Sequence, residues 1–153
     1  RTWMKKILRR LGLLAVPVFA VSILLVAIGC TTFTSNGQRI YFTATSSSGE
    51  RIAYTGDPGG MMQGPLACVN CHGPRGHGGT VRFMMQAFDV PNITWLELTG
   101  KHTDHQPYSE GTVKEAITKG VDPAGNLLEY PMPRWQMSTR DLNDLIAYIE
   151  TLK

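Results

Sequence analysis

Apolar residues fall along this chain in three patterns, and each predicts a different element. Between residues 11 and 28 only Gly12, Pro17 and Ser22 interrupt an apolar run. At helical rise that run spans about 27 Å, close to the hydrocarbon thickness of a bilayer. It is predicted to be a membrane-crossing helix, with Pro17 as a tolerated kink in its first half. The second pattern is helical spacing. Leu142, Leu145, Ile146, Ile149 and Leu152 make one apolar stripe, and Ser138 with Asp141 forms a capping-box-like pair before it. A shorter helix is predicted from Glu110 or Gly111 to Lys119, with Val113, Ala116 and Ile117 on one face and Gly120 as its stop. The third pattern is ambiguous. Residues 37–42 read as a short helix capped by Ser35 or Asn36, its Tyr41 and Phe42 facing the core. The Thr-rich residues that follow compete: 43–45 and 51–55, separated by Ser46, Ser47, Ser48 and Gly49, read equally as a hairpin. Residues 56–60 and 122–126 are turns, 82–88 a short mixed segment, and Trp95, Leu96 and Leu98 an apolar patch.

A length of 153 residues allows one small domain beside that apolar run. The expected division is an anchor at 1–30, a short polar linker at 31–36 and a domain at 37–153. Charge sharpens this division. The net charge is +3, but Arg1, Lys5, Lys6, Arg9 and Arg10 precede the apolar run with no acid among residues 1–30. The rest of the chain is mildly acidic, so the basic balance gives no support to nucleic-acid binding. Positive charge on one flank predicts an N-terminus in the cytoplasm and a domain on the outer, periplasmic face of the cell membrane. Val26-Ala27-Ile28-Gly29-Cys30 also resembles a bacterial lipoprotein cleavage site with Cys30 lipidated. The length of the run favours the single-pass helix; either tether leaves the domain on the same face.

The candidate chemistry sits in Cys68-Val69-Asn70-Cys71-His72. Two thiols three residues apart can reach the two vinyl edges of one porphyrin, and the imidazole that follows supplies an iron ligand, so the motif predicts covalent haem attachment. A redox dithiol or half of a zinc site shares the first four residues. Zinc would need two more ligands at comparable spacing, and Cys30, the one other cysteine, lies at the end of the apolar run. Glycine and proline flank the pair where a thioredoxin-like site would have a strand and a helix. The Gly-rich stretch 73–79 can press close to a flat ligand. Met132 is the candidate for the opposite axial position. Pro131 and Pro133 hold it in an extended segment just before the last helix. His77, His102 and His105 are its rivals.

With those residues in view, the chain from Cys68 onward resembles the class I c-type cytochromes: Cys-x-x-Cys-His-Gly, a Gly-rich loop, Pro-Asn-Ile, Met-Pro-Arg-Trp and the apolar last helix. The resemblance reaches back to Gly37. It implies an all-α, class I cytochrome c fold around one covalent haem c. Cys68 and Cys71 would form the thioethers, and His72 and Met132 the two metal ligands. The carbonyl of Pro91 would accept a hydrogen bond from His72. Gly37 and Tyr41 match the first helix of that fold where it crosses the last, with Tyr148 as aromatic partner. One feature departs from the family: residues 43–67, with Met61 and Met62, form an inserted loop or hairpin before the haem motif, expected to be a docking surface or a lid. The function implied is that of a membrane-anchored one-electron carrier without substrate chemistry of its own. Its partners would be redox proteins, or subunits of a quinol-oxidising or terminal-oxidase complex in a respiratory or photosynthetic chain. A haem-based sensor with a displaceable Met132 is the alternative, and an enzyme with an open iron site the weakest reading.

Overall fold

The computed structural model describes residues 32–56, 66–83, 85–101 and 106–153. The expected anchor at 1–30 lies outside them, as do Met61, Met62, His102 and His105. Among the described residues no helix is long and apolar enough to cross a membrane.

Phe33–Lys153 form one compact unit. Its frame is a pair of helices far apart in sequence. Helix α1 spans Asn36–Thr43. Ser35 caps it by accepting a 3.1 Å hydrogen bond from the backbone N–H of Gln38. The helix stops where Ala44 turns left-handed (φ 50°) and its N–H returns to the Ile40 carbonyl. The helical reading of residues 37–42 therefore holds, and the chain turns into the following segment at Ala44. The last helix, at Thr139–Ile149, is capped by Ser138, whose hydroxyl accepts from the Asp141 N–H. The two helices cross at Gly37. A Cβ there would run into the Asp144 carbonyl and come within 2.9 Å of Tyr148 Cβ, so only glycine permits the approach. Ile40, Tyr41, Leu145 and Ile146 fill the crossing, and the Tyr41 and Tyr148 rings lie 5.3 Å apart.

Among the described residues three further helices come between. Helix α2 is Cys68–His72, α3 is Trp95–Thr99 and α4 is Glu110–Lys119; the last helix is accordingly α5. Helix α4 buries Val113, Ala116 and Ile117, as its spacing predicts, and ends at Gly120 with φ 67°. The apolar patch at 95–98 is α3. Its Trp95 and Leu98 pack on the core, and Leu96 faces outward.

The all-α expectation needs correction. Two small antiparallel sheets accompany the helices. Strand β1 (Ala53–Thr55) pairs with β4 (Arg134–Gln136), Tyr54 opposite Trp135. Strands β2 (Gly79–Phe83) and β3 (Gln86–Val90) form a hairpin of their own. The inserted hairpin predicted at 43–55 is present but short: Thr45 bridges Arg51, the Ser46 N–H donates to the Glu50 carbonyl and the Ile52 N–H to the Ala44 carbonyl, and residues 53–55 leave it to pair with 134–136. The reason is backbone satisfaction: the extended segment around buried Trp135 cannot leave its polar groups unpaired, and 53–55 supplies the partner.

Candidate cofactor site

Helix α2 is only five residues long, and its start is closed by one side chain. Asn70 Oδ1 accepts from the Ala67 N–H at 2.8 Å, and the Asn70 N–H returns to the Ala67 carbonyl at 3.0 Å. This turn puts Cys68 and Cys71 on one face, with His72 beside them. Its end is tied to the helical frame: the Tyr41 hydroxyl donates to the Gly73 carbonyl at 2.6 Å.

The chain then doubles back beneath His72. The Gly78 N–H donates to the His72 carbonyl at 2.9 Å, and the Ile93 N–H to the Gly76 carbonyl at 2.7 Å. Gly78, at φ 66°, lies flat against the Val90–Pro91 backbone; a Cβ there would come within 2.7 Å of the Pro91 carbonyl carbon. This close approach brings the Pro91 oxygen 3.0 Å from His72 Nδ1. A carbonyl can only accept, so Nδ1 carries the proton and Nε2 keeps its lone pair. The ring is 7% exposed. Burial lowers its pKa against the opposing pull of the Pro91 hydrogen bond, which keeps the imidazole neutral and able to ligate.

His72, Cys68, Cys71 and Pro91 line one cavity of about 560 Å³, and Met132 and Trp135 line it too. Its volume lies within the usual range for organic cofactor sites, and its lining is mostly apolar. Both thiols are free. Burial pushes Cys68 up to about 12, with the nearby Cys71 adding to it, and Cys71 is raised by burial as well. A redox dithiol needs the opposite shift, so the environment disfavours that reading of the pair.

Met132 stands in a loop whose Tyr130–Pro131 peptide bond is cis. Arg134 holds this loop from behind: its guanidinium donates to the Met132 carbonyl and, at 3.1 Å, to the Leu128 carbonyl. The same side chain lies over Gly120, where any Cβ would displace it. Tyr130 meets Phe88 of β3 edge-on, centroids 6.4 Å apart. Of the rival ligands, His77 is exposed and donates from Nε2 to the Lys153 carbonyl at 2.9 Å, away from the cavity. His102 and His105 lie outside the described residues.

The structure thus brings together all five residues singled out by sequence. Residues 35–153 match the family model for cytochrome c. The chain belongs to the cytochrome c family. Among curated proteins and among solved structures no match is found. Membership implies electron transfer by a covalently bound haem c. The residues of this cytochrome fit that group. Two thiols, an imidazole nitrogen with a free lone pair and a thioether share one apolar cavity.

Sequence reasoning missed four contacts that support this cytochrome's site, those of Tyr41, Gly78, Arg134 and Tyr54. The Tyr41 hydroxyl and Gly78 act through backbone contacts, which no local pattern announces. Arg134 carried a signal only as part of Met-Pro-Arg-Trp, which names the residue and not the carbonyls it reaches. Tyr54 gave none, since its partner is far along the chain.

Proposed function

We propose that this cytochrome is a class I, monohaem, one-electron carrier. Cys68 and Cys71 attach the single haem c, His72 and Met132 are its axial ligands, and Pro91 sets the tautomer and tilt of His72. The group supplies reversible ferrous–ferric exchange, and the chain carries no substrate chemistry of its own. The observation that supports this most is the shared cavity. It has His72, its Nδ1 already committed to Pro91, and the proline-flanked Met132 in its lining. The apolar walls exclude water, and a thioether ligand favours the reduced form relative to a second imidazole.

The proposal extends to location. Residues 1–30, five cations followed by an apolar run, serve as a single-pass anchor. The haem domain stands on the periplasmic face and exchanges electrons with redox partners or neighbouring subunits of a quinol-oxidising or terminal-oxidase complex. A short linker suits a fixed subunit better than a free shuttle.

The test is a ligand series read by spectroscopy. Met132→His keeps a low-spin haem with a lowered potential, and Met132→Ala opens the site to external ligands. Met137→Leu, beside the α5 cap, leaves the spectrum unchanged. Survival of the near-infrared sulfur-to-iron band in Met132→Ala would overturn the assignment. Attachment is checked separately: Cys68→Ala and Cys71→Ala each lose one thioether and most holoprotein, seen as weakened haem staining after denaturing electrophoresis.

A further inference from the structure

Residues 52–56, in the stretch expected from sequence to be an insertion, are bound to the loop that carries Met132. Ile52 is buried in the core, and its N–H donates to the Ala44 carbonyl at 2.8 Å. From that fixed point β1 runs alongside β4, pairing Ala53 with Gln136, Tyr54 with Trp135 and Thr55 with Arg134. The Tyr54 and Trp135 rings pack 5.0 Å apart at 58°. Gly56, next along, comes up against Pro133: a Cβ there would lie 4.0 Å from Pro133 Cα. Pro133 and Trp135 are the first and third residues after Met132, and both are buried and line the cavity.

A loop carrying a soft axial ligand exchanges that ligand as easily as the loop itself moves. Among the described residues the C-terminal half of the loop has one strand partner, β1. We propose that residues 52–56 are a clamp on the distal loop and that Tyr54 is its positioning residue, holding Met132 in place through Trp135. This rests on Met132 being the axial ligand. In this role Tyr54 touches neither iron nor porphyrin. It sets the fraction of molecules in which the distal position is open, and so the ease with which outside ligands enter.

The measurement is imidazole binding to the ferric, haem-loaded chain. An external ligand that displaces Met132 binds in proportion to the open fraction. Losing the Tyr54–Trp135 contact should raise that fraction roughly three- to tenfold. Tyr54→Ala is therefore expected to tighten apparent imidazole binding by that factor and to weaken the near-infrared sulfur-to-iron band. Tyr54→Leu, which keeps most of the apolar bulk, gives an intermediate shift and serves if the alanine variant fails to load. Tyr54→Phe keeps the ring and restores wild-type binding. Tyr148→Ala, at the helix crossing, lowers the melting temperature without the same gain in affinity, separating a local release from general loosening. In a Met132→Ala background Tyr54→Ala should add nothing. Should Met132→Ala gain imidazole affinity while both Tyr54→Ala and Tyr54→Leu bind as wild type, the clamp is refuted and the ligand assignment stands. Should Met132→Ala itself leave the spectrum and affinity unchanged, the ligand assignment falls, and the clamp with it.

Discussion

Tyr41 joins the helical frame to the haem motif through a single oxygen. The side chain is fully buried, and its hydroxyl reaches the Gly73 carbonyl just after His72. Tyr41→Phe leaves that carbonyl only the longer, 3.3 Å bond from the Gly76 N–H, and the expected loss is about 0.5–1.5 kcal/mol in chemical denaturation of the holoprotein. Asp141 has a comparable role at the α5 cap. Partial burial alone would raise its pKa, but hydrogen bonds from Asn36, Ser138 and Ser46, with Arg140 nearby, outweigh this and hold it below the usual carboxylate range. The folded carboxylate then takes up a proton less readily than the unfolded one. Its stabilisation is present above about pH 4 and is lost as pH falls through the folded pKa. Asp141→Asn should melt a few degrees lower at neutral pH and lose less on acidification, read from melting temperatures between about pH 6 and pH 3. Legibility at this scale follows sequence distance. Cys68, Cys71 and His72 were readable because covalent attachment demands a local spacing. Gly73 accepting from Tyr41 was not, because the motif does not encode who satisfies its carbonyls.

Elements were legible where periodicity and caps agreed. Helix α4 spans Glu110–Lys119 and stops at Gly120, and α5 starts after Ser138, both as their patterns indicate. Helix α1 competed with a hairpin because threonines follow it, and the buried face of Ile40 and Tyr41 decided the outcome. The β2–β3 hairpin was hidden for a different reason. Its strands alternate acceptably, yet the sequence between them is Met84-Met85 rather than an Asn-Gly type of turn. The β1–β4 pairing joins residues about eighty positions apart, and no window of sequence displays it. At this scale the sharpest test is the helix crossing. Gly37→Ala drives a methyl group into the Asp144 carbonyl and forces α1 away from α5. The expected cost is about 1–3 kcal/mol, with a matching fall in melting temperature. Ser138→Ala removes the acceptor for the Asp141 N–H and should cost about 1 kcal/mol.

For the whole molecule, the division of charge makes the strongest statement. In the proposed topology the five cations before residue 11, with no comparable cluster just after the apolar run, put the N-terminus inside and the residues after Thr31 outside. Protease added to intact, outer-membrane-permeabilised cells should digest the haem domain and spare the N-terminal tail; protection of the haem domain would reverse the orientation. An N-terminus beginning at Cys30 in the mature protein would instead favour the lipid anchor.

The crossing of α1 with α5 also dictates an order of events during synthesis. Asn36 waits for Asp141, 105 residues later, before its side chain finds its partner. At about 5–20 residues per second that delay lasts roughly 5–20 s. Through all of it Tyr41 lacks the helix it packs against, and the pocket wall contributed by Met132 and Trp135 is made only near the end. The two thiols are therefore open to outside reagents before that wall is made and more enclosed after it. Chains stalled before Thr139 should react with maleimide at Cys68 as fast as an unstructured peptide does, whereas the completed haem-free chain should react far more slowly.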